Sequence, residues 1–429
     1  MKRLLIATVL ALLAACSKDK AVDEPTELVE LQPTAAVSRV WSASVGGGDE
    51  VMRYGLGLAL SGERVYAAGR GGEVAAFDAA TGRAVWRART KAALSAGVGV
   101  DETHVAVGSS DGEVVLLNAA DGNIMWRAKV GGEVLAAPAL AAGAVVVRTV
   151  DGRLRGLSLE DGKELWQVDE QIPRLTLRGN AAPVVAGDLA IAGFDNGKVI
   201  AVSTGSGDTV WETPVIPARG RTELERLVDI DAAVKVLGEE VFVAGYQGRA
   251  AMLALESGQI WWTREVSSYR GVDVDDDAVY VATADGEVVA LRRRSGVELW
   301  RQSSLKFRKL SAPAAAGDYV AVADFAGIMH WFDKSTGAPA ARTGGLGGRV
   351  SNPLVAAGDV VYVISDNGRI SALRAASTGA SAPAATPAPD AATPEVPPAA
   401  PAAPDATLPS EPAPEATAPA APAEPLPNN

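Results

Sequence analysis

Few side chains in this chain of 429 residues are equipped for acid–base, nucleophilic or soft-metal chemistry, since it holds one cysteine and two histidines. That count excludes an internal disulfide framework and a Cys/His-rich zinc site. His104 and His330 fall in predicted strands near the edges of repeating units, where they read as surface or packing residues rather than an acid–base pair. Four carboxylates, Asp273, Asp275, Asp276 and Asp277, crowd one stretch. They lack the Gly and Glu spacing of an EF-hand, so a solvated loop is the first reading and a Ca²⁺ site the second. Gly46-Gly47-Gly48 lacks the Lys-Ser/Thr of a phosphate-binding loop, and no nucleophile elbow is evident. No catalytic, cofactor-binding or metal residue is therefore assigned.

The single thiol has a different use. Lys2 and Arg3 precede an apolar run from Leu4 to Leu13, too short to span a bilayer but suited to a secretory signal. It ends in Leu13-Ala14-Ala15-Cys16, which resembles the bacterial lipobox, so Cys16 is the expected site of lipidation. An ordinary A-x-A cleavage beside an incidental Cys is the alternative. Ser17 follows, where enterobacterial lipoproteins retained in the inner membrane carry Asp. By that resemblance the mature protein is anchored in the outer membrane on its periplasmic face. Residues 1–15 are then the signal peptide and residues 16–36, polar and acidic with Pro25 and Pro33, a flexible tether.

The formal charge is -12, which argues against a nucleic-acid partner. Half of it sits in residues 380–429, with six acids, no base and 15 of the 25 prolines. Such a segment cannot bury enough apolar surface to offset its ordering entropy, so residues 376–429 are expected to be disordered. A solvated spacer is the plain reading of it, and insertion into the peptidoglycan a functional one.

Between these ends the chain repeats. Gly112 to Trp126 reappears as Gly152 to Trp166: a strand, a Gly turn and a second strand closed by Trp. Trp41, Trp86, Trp126, Trp166, Trp211, Trp262 and Trp300 mark the same position, with a period near 42 that indicates blades or a solenoid. Asp/Asn-Gly and Thr/Ser/Asp-Gly turns supply the positive φ of tight hairpins, and helical periodicity is absent. Eight first turns, from Gly71-Gly72 to Asn367-Gly368, give an all-β, eight-bladed propeller of four-stranded antiparallel blades over residues 37–375. The seventh unit has Ala341 at the Trp position. The eighth stops after Ile370 to Leu373 without its last strand. Val37 to Val45, carrying Trp41 with no blade of its own, is the expected replacement, closing the ring. The Trp set is assigned to packing between blades, whereas Trp261 and Trp331 lie outside it and are candidates for surface contacts.

The unit Gly72 to Trp86 resembles the repeat of pyrroloquinoline-quinone enzymes and their non-catalytic relatives. Those enzymes use Ca²⁺, an Asp base and often adjacent cysteines, whereas here the one Cys belongs to the anchor. A lipidated, secreted, cofactor-poor eight-bladed propeller resembles the BamB family of scaffolds in the outer-membrane β-barrel assembly machinery, over roughly residues 1–375. Two segments sharpen the likeness: Leu175-Thr176-Leu177-Arg178-Gly179 and Leu227-Val228-Asp229-Ile230-Asp231. The resemblance implies that Leu175, Leu177, Arg178, Asp229 and Asp231 contact, or support docking to, the POTRA domains of a BamA-type barrel-forming subunit. It also implies the rest of that complex, and unfolded outer-membrane proteins, as partners. Without it, Leu-x-Leu reads as a half-buried strand and Asp-x-Asp as a solvated loop. The remaining alternatives are a quinoprotein dehydrogenase and a generic envelope-binding propeller.

One reading is independent of the family. Aligning Ala137-Pro138, Ala182-Pro183, Ala233-Val234 and Ala312-Pro313 places Glu133, Arg178, Asp229 and Arg308 at equivalent points. These are expected around one mouth of the central channel, with Arg178 and Asp229 on adjacent blades as opposite charges able to pair.

Overall fold

A computed structural model describes residues 23–46, 56–177, 181–217, 221–222 and 224–378. Cys16, Arg178, the signal peptide and residues 379–429 lie outside them. All regular structure among the described residues is strand, in eight four-stranded antiparallel sheets. Blades 1 to 7 cover residues 59–89, 99–129, 139–169, 184–214, 235–264, 272–302 and 314–343, each a simple meander. Blade 8 takes three strands from residues 355–377, and its outer strand is Ala35–Ser44, paired antiparallel with Arg369–Ser377. Closure by the N-terminal strand is thus as expected, and it leaves the array no open end. Because neighbouring strands alternate in direction, the turn between second and third strands shares one end of each blade with the loops joining blades.

The core is divided into wedges, one between each pair of neighbouring blades. The last joins blade 8 to blade 1 through Trp41, Val45, Phe77, Tyr362 and Ile370. Each repeat Trp staples its blade to the next, its Nε1–H donating to a backbone carbonyl: Trp41 to Ala79, Trp86 to Ala119 and Trp126 to Leu159, at 2.8 to 2.9 Å. The turn glycine facing each indole is needed twice over. Gly82 has φ +69°, and a Cβ there would lie 2.5 Å from Trp41.

Where the seventh unit lacks its Trp, the volume is exchanged across strands. Trp331 pairs opposite Ala341 and is fully buried, which corrects the expectation that it makes surface contacts. Trp261 is 49% exposed. It is the extra residue of a β-bulge, as are Val40, Val85, Met125, Leu165, Val210 and Leu299 just before the other repeat tryptophans. Bulges twist the outer edge and break its hydrogen-bond template, which blunts these seven otherwise exposed edge strands.

Residues 23–34 do not behave as the free tether expected of them. Thr26 N–H donates to Lys306 O, Arg308 Nη1 to Thr26 O and Thr34 N–H to Ala340 O, at 2.9 to 3.0 Å. Leu28 packs against the wedge between blades 6 and 7. The segment lies as a strap along blade 7.

Candidate partner-docking site

The loop from blade 3 to blade 4 presents Leu175 and Leu177, which are 40% and 37% exposed. Half-exposed leucines on a loop are not core, so the half-buried-strand reading does not hold for them. The loop from blade 4 to blade 5 carries Asp229 and Asp231, and alternation sends them apart. Val228 and Ile230 enter the wedge between blades 4 and 5, and Asp229 is completely buried, so the solvated-loop reading fails for it. Asp229 Oδ2 accepts the backbone N–H of Leu177 at 3.0 Å, while its own carbonyl accepts Tyr246 N–H at 2.8 Å. The carboxyl therefore holds the leucine loop down onto blades 4 and 5. Asp231 instead lines the axial cavity, about 300 Å³, with Lys235, Arg270 and Tyr269.

Sequence reasoning missed the groups beneath. Arg148, at the end of a blade 3 strand, forms an ion pair with Asp195 in the turn of blade 4, both almost fully buried. The Arg148 guanidinium also lies 5.0 Å over the ring of Phe194. One signal was available: four residues before the turn glycine, the other blades carry Ala, Gly or Ile, and only blade 3 carries Arg. Burial, with repulsion from Asp195 and Asp231, pushes the Asp229 carboxyl up to about 7, against the opposing pull of the Leu177 N–H and Arg148. Near neutral pH it is poised between a protonated and an ionised form.

The equivalent-position reading is corrected in its geometry. Ala137, Ala182, Ala233 and Ala312 do line the cavity at the ring axis, yet Glu133, Asp229 and Arg308 do not. Arg308 is buried in the wedge between blades 6 and 7, where its guanidinium bonds Asp324 at 2.7 and 2.8 Å. His330 completes that cluster at 3.1 Å from Asp324. It is 2% exposed rather than peripheral, and burial pushes its imidazole below the usual range. Having no exposed face, it is closed to substrate. At His104 it is Asp101 that caps the turn, its carboxylate accepting the His104 N–H at 2.6 Å and lying 3.2 Å from the ring Nδ1. Three of the four carboxylates are spoken for: Asp273 by Lys235 and Ala315 N–H, Asp275 by Lys334 and Tyr280, and Asp276 by Arg293, while Asp277 donates its backbone N–H to Asp275. Among the described residues no group of three or more such side chains is arranged to hold a metal ion.

The family model for outer membrane protein assembly factor BamB matches residues 34–95, 70–302 and 284–382. A protein of that name from Pseudomonas aeruginosa is 47% identical, covering 85% of this chain and 96% of its own. The crystal structure of BamB from Moraxella catarrhalis superposes with a TM-score of 0.72 at 27% identity, over 79% of this chain and all of that one. A quinohemoprotein alcohol dehydrogenase from Comamonas testosteroni reaches a TM-score of 0.61 at 11% identity, over 79% and 76%, a likeness of fold alone.

Proposed function

The chain belongs to the outer membrane protein assembly factor BamB family, and on that premise we propose that it docks, through Leu175 and Leu177, on the periplasmic POTRA domains of a BamA-type barrel-forming subunit. It serves outer-membrane protein assembly as a non-catalytic scaffold, anchored to the periplasmic face of the outer membrane through a lipidated Cys16. The observation that carries this reading is the hydrogen bond from Leu177 N–H to the buried Asp229, which ties down the loop that presents two half-exposed leucines. Preorganised apolar side chains on an otherwise polar surface are what a modest protein interface needs, because little entropy is lost on contact. Arg178, next to Leu177 in sequence, is proposed as a further contact. Asp229 acts by positioning the loop, and Asp231 faces the axial mouth. Capture of the purified POTRA segment by the full chain tests the site. The Leu175→Ser, Leu177→Ser double variant is expected to fold and to lose capture; native capture by a folded double variant would displace the site.

A further inference from the structure

The strap shortens the stretch of chain between Cys16 and its first contact with the propeller. A free chain from Cys16 to Val37 would reach about 70 Å when extended. With Thr26 bonded to Lys306 and Arg308, ten residues remain, and Cys16 is confined within about 35 Å of the junction between blades 6 and 7. The strap leaves at the end of the blades where the connecting loops lie. There the loop 303–313 carries Phe307 and an exposed Lys309, and the neighbouring turn of blade 7 carries Phe325, 36% exposed. Phe325 N–H donates to Arg308 O at 3.1 Å, and the Arg308 guanidinium lies 5.1 Å over its ring, so loop, turn and strap form one unit.

We propose that this edge, Phe307, Lys309, Phe325 and Ala326 beside the strap exit, is the surface by which the propeller meets the phospholipid bilayer. Aromatic rings with a basic side chain suit the headgroup layer, and the anchor holds them within reach of it. The Leu175 and Leu177 loop lies three blade steps away around the eight-step ring, at the same end of the blades. The partner face and the membrane face are thereby separated, and a docked strap keeps the leucines from turning toward the lipid.

The inference rests on the lipidated Cys16 of the proposed function, and the test separates the two. The lipidated full chain is bound to vesicles of phosphatidylethanolamine and phosphatidylglycerol that carry a headgroup quencher. A fluorophore is placed at Ala326→Cys or, on blade 4 at the other end of the strands, at Ser206→Cys. Quenching is expected to be severalfold greater at 326. Releasing the strap by the double variant Thr26→Pro, Leu28→Asp, which removes the N–H to Lys306 and the apolar contact with the wedge, is expected to erase the contrast while flotation with the vesicles persists. Equal quenching at both positions in wild-type protein that floats would overturn the inference and leave the anchor intact. Failure to float, with a reactive Cys16 thiol, would overturn the anchor and the inference with it.

Discussion

The indole of Trp41 donates to the carbonyl of Ala79 at 2.8 Å, so a residue near the start of the described chain staples blade 8 to blade 1. The same contact recurs at the other repeat tryptophans, Trp166, Trp211, Trp262 and Trp300 among them, at 2.8 Å. Its position at the ring seam makes it the one that closes the molecule. Blade 8 has no outer strand of its own, so losing this contact releases an edge as well as a side chain.

Trp41→Ala is accordingly expected to destabilise the propeller by about 3 to 5 kcal/mol through the cavity alone. Removing residues 35–44 should lower the melting temperature further and promote aggregation through the bared strand Arg369–Ser377. Thermal unfolding followed by circular dichroism checks both; an unaltered transition in the deletion variant would rule out closure by this strand.

Leu177→Ser should change stability by less than about 1 kcal/mol, as expected of a half-exposed loop residue. Its capture of the POTRA segment should nevertheless fall at least about tenfold, the behaviour of an interface anchor. Denaturant titration beside the binding assay separates the two effects, and a large folding cost without a binding loss would assign Leu177 to structure.

Asp229 predicts a pH dependence whose sign can be worked out. Its carboxyl is near 7 in the fold and near 3.8 when unfolded, so between these values the folded state holds the extra proton. The group's contribution to stability is full below pH about 4, shrinks as pH rises and is gone above about 7, a swing of up to roughly 4 kcal/mol. Asp229→Asn keeps an acceptor for Leu177 N–H and cannot ionise. It should be more stable than wild type at pH 8, and the difference should vanish toward pH 4. An equal difference at every pH would contradict this. Asp229→Arg, by contrast, would bury an unpaired cation and is expected to destabilise the fold at every pH.

Arg148→Met should cost about 3 to 5 kcal/mol, because it strands the buried Asp195. Adding Asp195→Leu should recover part of that loss, since an apolar pair of similar volume avoids the desolvation of both ions. Equilibrium unfolding of the four proteins of this cycle gives the coupling. Purely additive costs would mean that the pair is not the unit.

Cys16→Ala should abolish lipid modification and release the protein from the envelope fraction. Mass spectrometry of the mature N-terminal peptide decides it, and an unmodified Cys16 in the wild type would refute the anchor.

The repeat by itself specifies most of the fold. A Trp every 40 residues or so, a glycine at each turn and an orphan strand around Trp41 specify blades, their number and their closure. Each of those signals is local, set by backbone geometry and by contact with the adjoining blade. The two leucines of the loop between blades 3 and 4 were singled out only through family likeness, since nothing in the pattern Leu-x-Leu separates a half-buried strand from a half-exposed loop. The burial of Asp229, the Arg148 and Asp195 pair beneath it, the enclosed His330 and the docking of residues 23–34 on blade 7 were decided by the tertiary structure. Their partners lie far away in sequence: 52 residues separate Asp229 from Leu177, and 282 separate Arg308 from Thr26. Whether such groups meet depends on how one blade is rotated against the next and where the closing strand re-enters the ring, which no local pattern encodes.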